Sequence, residues 1–272
     1  MNKKKLFVGT LMLALMLSGC TKQDDRSAIN VKAHNNSSTK VNKKVVEANN
    51  KKENSRLIFF NKKIKSVTSG ILLPQDDGLK QGSSNLNMRF ENNPDQSVVY
   101  YSVGESKQKF NDEILKKELP YAILTMRSNM TNEKMDKLIG YRDAKDDAGL
   151  RQIKLNDSIT AAVDAGAGQQ YLHFVKGNWS IIVHASSIMN QSAEKPALKL
   201  LNLIEKYGLP KTTGKSTIYI TAGKSKGSLN NVFKWQLNDK YYQLDTHSLT
   251  TCLLYTSPSP RDLSTSRMPS SA

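Results

Sequence analysis

The side chains that could do chemistry are few, and the four histidines and two cysteines are the first to weigh. His173 and His184 lie in a run, Tyr171 to His184, whose apolar and polar residues alternate and fold back at Gly177-Asn178. Pairing Lys176 with Trp179 puts both histidines on one strand face, one step off directly opposite, where two imidazoles can share a metal. A zinc site needs three or four ligands with supporting hydrogen bonds, and no third ligand is placed by the sequence, so the pair is expected to be surface histidines and no metal is assigned. The acid pairs Asp76-Asp77 and Asp146-Asp147 stand in loops beside Gly78 and Gly149, without the alternate oxygen ligands and closing Glu of a calcium loop. Gly166-Ala167-Gly168 is a fragment of a phosphate-cradling loop, but Tyr171 occupies the third glycine position and a strand follows. No helix N-terminus would face the phosphate there, and a tight connection is expected.

Ser106-x-x-Lys109 and Ser192-x-x-Lys195 share the serine–lysine spacing of penicillin-recognising enzymes, and Lys211-Thr-Thr-Gly214 loosely matches their later strand. The intervening Ser-x-Asn element and the long separation are missing. Ser192 is instead expected to cap a helix. No nucleophile elbow, zinc-binding HExxH helix, Walker loop or Cys–His arrangement occurs. No catalytic residue and no cofactor is assigned; glycosidase-type carboxylate pairs leave no local signature, so the question of activity stays open while leaning towards none.

Cys20 is different because its neighbours give it a context. The chain opens Met1-Asn2-Lys3-Lys4-Lys5, continues with an apolar run from Leu6 to Leu17, and reaches Leu17-Ser18-Gly19-Cys20. A basic start, an apolar stretch and a small-residue junction are the parts of a secretory signal, and the run is too short for the roughly 20 residues of a helical span. Leu17-Ser18-Gly19-Cys20 resembles the lipobox of bacterial lipoproteins, and the chain is similar to uncharacterised lipoproteins of low-GC Gram-positive bacteria. The resemblance implies that Cys20 receives a diacylglyceryl group, that cleavage occurs before it, and that the protein is held by lipid at the extracytoplasmic face of the cell membrane. The expected organisation is a signal peptide over 1–19, a lipidated disordered tether over 20–56, an extracytoplasmic domain over 57–250 and a disordered tail over 251–272.

The tether is rich in Lys, Asn, Ser and Asp and poor in large apolar groups, so it cannot offset the entropy of ordering. As a coil it would reach roughly 30 Å. The tail from Cys252, rich in Ser and Pro, resembles sequencing-adapter DNA read as protein, and the natural chain is expected to continue differently after about Thr250. Discounting Cys252 leaves no disulfide framework, and the domain must be held by its core. The net charge of +16 is spread over all four segments rather than gathered in one patch. With no aromatic–basic platform, nucleic acid is not an expected partner; the lysines of the tether suit an anionic lipid or wall-polymer surface, and a solvated spacer accounts for them equally well.

Residues 57–250 suffice for one domain or two small lobes. In the first hairpin Leu172, Phe174, Trp179, Ile181 and Val183 form the core face. A second hairpin turns at Asn238-Asp239, with Phe233, Trp235 and Leu237 facing Tyr242 and Leu244, and with Lys234, Gln236, Gln243 and Asp245 outward. Between them a helix buries Ala197, Leu200, Leu201 and Ile204 and ends at Gly208 and Pro210. Earlier, Leu86, Met88 and Phe90 alternate into a turn at Asn92-Asn93-Pro94-Asp95 and a strand over 97–103. Thr131 to Ile139 makes a capped helix stopped by Gly140, and Ser158 to Val163 a strand leading to a glycine loop over 164–168. The fold class expected is α+β, an antiparallel sheet built from hairpins with one or two helices packed on one face.

The function expected is a non-catalytic binding or interaction domain on a lipid-anchored surface protein, with a cell-wall polymer or surface protein as partner. A lipid-anchored cell-wall hydrolase is the alternative, and the substrate-binding receptor of a transporter is a third, disfavoured by hairpins where strands and helices should alternate.

Overall fold

Period-two alternation makes most of this chain strand, and turn residues every eight to ten positions fold it into hairpins. The computed structural model describes residues 56–79, 83–223 and 228–249. Cys20, the 1–19 segment, the tether up to residue 55, Cys252 and the 251–272 tail lie outside the described residues. The strands are β1 (Leu86–Asn93), β2 (Gln96–Val103), β3 (Pro120–Arg127), β4 (Arg151–Lys154), β5 (Thr160–Gly166), β6 (Gln169–Lys176), β7 (Trp179–Ser186), β8 (Ser216–Thr221), β9 (Asn231–Leu237) and β10 (Lys240–Thr246). The helices are α1 over 56–67, α2 (Asn132–Ile139) and α3 (Glu194–Tyr207).

All ten strands join one sheet in the order β1-β2-β3-β10-β9-β8-β7-β6-β5-β4. The hairpin registers read from the sequence hold: Lys176 pairs with Trp179 and Trp235 with Tyr242, while the hairpin expected at Asn92–Asp95 pairs Asn93 with Gln96 across Pro94-Asp95. The glycine loop expected over 164–168 is tighter, since Asp164 to Gly166 belong to β5 and the turn is Ala167-Gly168 alone, both at positive φ. A side chain at 168 would also meet Ile188, whose Cγ1 would lie 2.5 Å from an added Cβ.

The sheet is antiparallel except where β7 and β8 run parallel, Trp179 beside Ser216 through His184 beside Thr221. The crossover is α3, whose 14 residues span about 21 Å and so return the chain to the starting end of an eight-residue strand. The expected antiparallel sheet holds for every strand pair but this one, because a strand's direction is set by its connection and not by its own pattern.

One face of the sheet carries the main core. Met88, Leu124, Leu172, Phe174, Ile181, Val183, Ile218, Phe233, Trp235 and Leu244 share a cluster with Leu57, Phe60 and Ile64 of α1 and Ala197, Leu200, Leu201 and Ile204 of α3. Trp235 stacks on Tyr242 at 5.2 Å, and the Tyr242 hydroxyl donates to the carbonyl of Gly70, tying down the segment that buries Ile71 and Leu73. Not all helices lie on this face, however. α2 packs Met135 and Ile139 against Tyr241, which points the opposite way from Tyr242 along β10. Its cap and stop are as read: Thr131 accepts from the amide of Lys134, and Gly140 closes it in the left-handed conformation. Ser192 does not cap α3. The cap position falls on Ala193, which makes no side-chain bond to the helix.

α1 itself was not anticipated from sequence, although Leu57, Phe60 and Ile64 carry a helical spacing. Arg56, assigned by composition to the tether, is its first described residue and is fastened to the β1 edge. Its guanidinium donates to the carbonyls of Leu86 and Gln108 and to Asn87 Oδ1. The edge is further closed by Asn111, whose side chain bonds both the N–H and the C=O of Phe90, leaving less open backbone for another chain to pair with.

Candidate functional site

Two arrangements could carry function, and access separates them. On the reverse face of the sheet, His173 Nδ1 lies 2.5 Å from Asp147 Oδ2, and His173 Nε2 lies 3.0 Å from Ser180 Oγ. The order of groups is that of a serine hydrolase: hydroxyl, imidazole, carboxylate. With the imidazole protonated at Nδ1, the N–H donates to Asp147 and Nε2 accepts from Ser180. Asp147 Oδ1 also pairs with Arg142 at 2.7 Å, and the backbone N–H of Arg142 donates to Ser180 Oγ.

The array is sealed, however, since Ser180 is 0% exposed and His173 2% exposed. A nucleophile must touch a substrate carbonyl, and no surface of Ser180 is open to one. The groups satisfy one another and fasten the 3-10 turn Ala144–Asp147 to β6 and β7.

This corrects the expectation of two surface histidines. His184 stacks on Tyr171 at 4.7 Å and donates from Nε2 to Gln169, whereas His173 is buried. The hairpin register did place His173 and Ser180 on one face. What sequence reasoning missed was Asp147, from a different element, which had been weighed only as half of an acid pair. Its neighbour Asp146 closes a capping box with Asp143, and Asp76 and Asp77 accept from the amides of Gly78 and Leu79 as ordinary turn residues. Among the described residues no three His, Cys, Asp or Glu side chains converge as metal ligands.

The second arrangement is open. A cleft of about 720 Å³ lies where β8 ends, where β9 begins, where α3 starts and beside the segment that follows β10. Because β7 and β8 are parallel and joined by α3, their C-terminal ends and the helix N-terminus come to the same side, the position at which α/β units take ligands. Ile220, Leu249 and Pro196 give the cleft an apolar floor, while Lys195, Lys199, Asn230 and His247 supply polar groups. The lysines stand one helical turn apart on one side of α3, both exposed, and neither pairs with a carboxylate among the described residues. His247 is exposed and holds its Nδ1 2.8 Å from the carbonyl of Ser228.

The volume falls in the range of small-molecule and segment-binding clefts, and the charge favours an anion with an apolar portion. Lys195 had been noticed only through the Ser192-x-x-Lys195 spacing. The cleft needs β8 beside β7, which no local pattern announces.

Among the described residues no helix is long and apolar enough to cross a membrane. Comparison with protein families, curated proteins and solved structures gives no match for this chain.

Proposed function

We propose that the protein is a lipid-anchored lipoprotein of the extracytoplasmic membrane face, whose sheet domain is a non-catalytic binding module for an acidic cell-wall polymer. Cys20 carries the lipid and the following segment is the tether. The observation that supports binding is the open cleft at the end of β8 and the start of α3, with Lys195 and Lys199 beside it and in no ion pair among the described residues. Repeating phosphates or carboxylates complement that lysine pair, and the apolar floor accepts the carbon skeleton between them. The hydrolase alternative draws on the Asp147–His173–Ser180 order, and its burial weighs against it.

The test is retention of the purified protein on cell walls, compared with walls stripped of their acidic polymer. Retention that drops on stripping, without release of soluble wall fragments, supports the proposal. Fragment release, or equal binding to stripped walls, refutes it. The double variant Lys195→Glu/Lys199→Glu should bind at least about tenfold more weakly while melting at the parent's temperature.

A further inference from the structure

A helix with one side built into a core and no acidic residue on the other is a specific object, and α1 is one. Its sequence over 56–67 contains Arg56, Lys62, Lys63 and Lys65 and neither Asp nor Glu. The inner side, Leu57, Phe60 and Ile64, is at most 1% exposed, and Arg56 fixes the helix to β1. The rotation of the helix is therefore set, and so is its outward side.

That side presents Ile58 and Phe59, 50% and 53% exposed, with Lys62, Lys63 and Lys65 around them, all exposed. At about 100° per residue, positions 58, 59, 62, 63 and 66 fall within one arc opposite the core. Lys63 Nζ lies 4.9 Å from the Phe59 ring, so cation and aromatic occupy one patch rather than opposite sides.

We infer that this side of α1 is a second membrane contact, seated on an anionic bilayer surface. The inference rests on the lipoprotein reading for proximity: α1 is the first described element after Cys20 in chain order, so of the described helices it has the shortest chain connection to the proposed anchor. Charge complementarity names the occupant. The preceding sequence, with Lys43, Lys44, Lys51 and Lys52, adds positive charge beside this face and so favours an anionic partner. Amphipathic helices of this composition lie in the headgroup region with aromatic and aliphatic groups dipping in, and each lysine near an anionic surface strengthens binding roughly fivefold.

Phe59→Trp in the full chain provides the probe, because the native Trp179 and Trp235 are 3% and 0% exposed. With vesicles of phosphatidylglycerol and phosphatidylcholine brominated on the acyl chains, roughly half of the added emission should be quenched. The quenching should vanish in phosphatidylcholine alone and on combining Phe59→Trp with Lys62→Glu/Lys63→Glu. Emission no more quenched than the parent's, or equally quenched in both lipids, overturns the inference. Flotation of the lipid-modified chain and of its Cys20→Ala variant separates the two claims. Flotation dependent on Cys20 without quenching sinks the α1 contact alone. Quenching without Cys20-dependent flotation sinks the anchor and leaves the contact standing.

Discussion

His173 Nδ1 and Asp147 Oδ2 approach to 2.5 Å, joining residues 26 positions apart beneath the surface of the reverse face. The contact makes the loop between α2 and β4 part of the folded body. Asp147 serves two partners at once, the imidazole and Arg142. Asp147→Ala should therefore cost about 3 kcal/mol, because it strands a buried imidazole N–H and a half-buried guanidinium. Asp147→Asn should cost less, since an amide oxygen still accepts from His173. Urea denaturation measures both, and equal losses for the two variants would contradict the account.

Gly168 sits at φ +74°, and an added Cβ would lie 2.5 Å from Ile188. Gly168→Ala should destabilise by about 1–3 kcal/mol through left-handed strain plus overlap. The overlap is removable and the strain is not. Combining Gly168→Ala with Ile188→Ala should recover part of the loss, and a double variant as unstable as the sum of the singles would show that Ile188 has no part in it.

Burial raises the pKa of Asp245, with the Gln243 hydrogen bond and Lys234 opposing. A carboxyl whose folded pKa exceeds its unfolded value binds its proton more tightly in the fold. Its contribution is therefore most favourable below about pH 4 and declines as pH rises through the window up to the folded value. Asp245→Asn removes that decline while keeping an acceptor for Gln243. The variant's stability relative to the parent should rise across that window and then level off in denaturation series run from acid to neutral pH. A difference that stays flat throughout would refute the assignment.

The binding proposed for the cleft at the end of β8 rests on exposed lysines, so it should be screened by salt. Affinity for an acidic polymer should fall by about tenfold between low and half-molar sodium chloride. Lys195→Glu/Lys199→Glu should remove most of that salt dependence along with the affinity. A salt response unchanged in the variant would place the polymer elsewhere on the protein.

Much of the local structure was legible because it is written in adjacent residues. Lys176 opposite Trp179, Trp235 opposite Tyr242, and the buried stripe of α3 all follow from periodicity and turn chemistry. Thr131 and Gly140 bracket α2 by their own hydrogen-bonding and backbone preferences. Ser192 failed as a cap although its type was right, because Ala193 holds the cap position and donates its amide N–H to Gln170 Oε1. α1, at the very start of the expected domain, was missed although Leu57, Phe60 and Ile64 carry the helical spacing.

The candidate sites were less legible than the fold. The strand register put His173 beside Ser180, but the carboxylate that completes the array comes from a turn whose position is set only when α2 and its following loop fold over the reverse face. The open cleft likewise has no sequence signature. It exists because β8 docks parallel to β7 and β10 comes to rest against β3, placing residues 195, 220, 230 and 247 at one end of the sheet. Alternation, hairpin turns and the cap and stop of α2 are local, acting over a few residues, and the sequence by itself determined them, as it did the grounds for expecting a lipid on Cys20. Strand order, the face each helix covers and the burial of His173 were decided by tertiary structure alone, because they depend on which apolar surfaces meet across long stretches of chain.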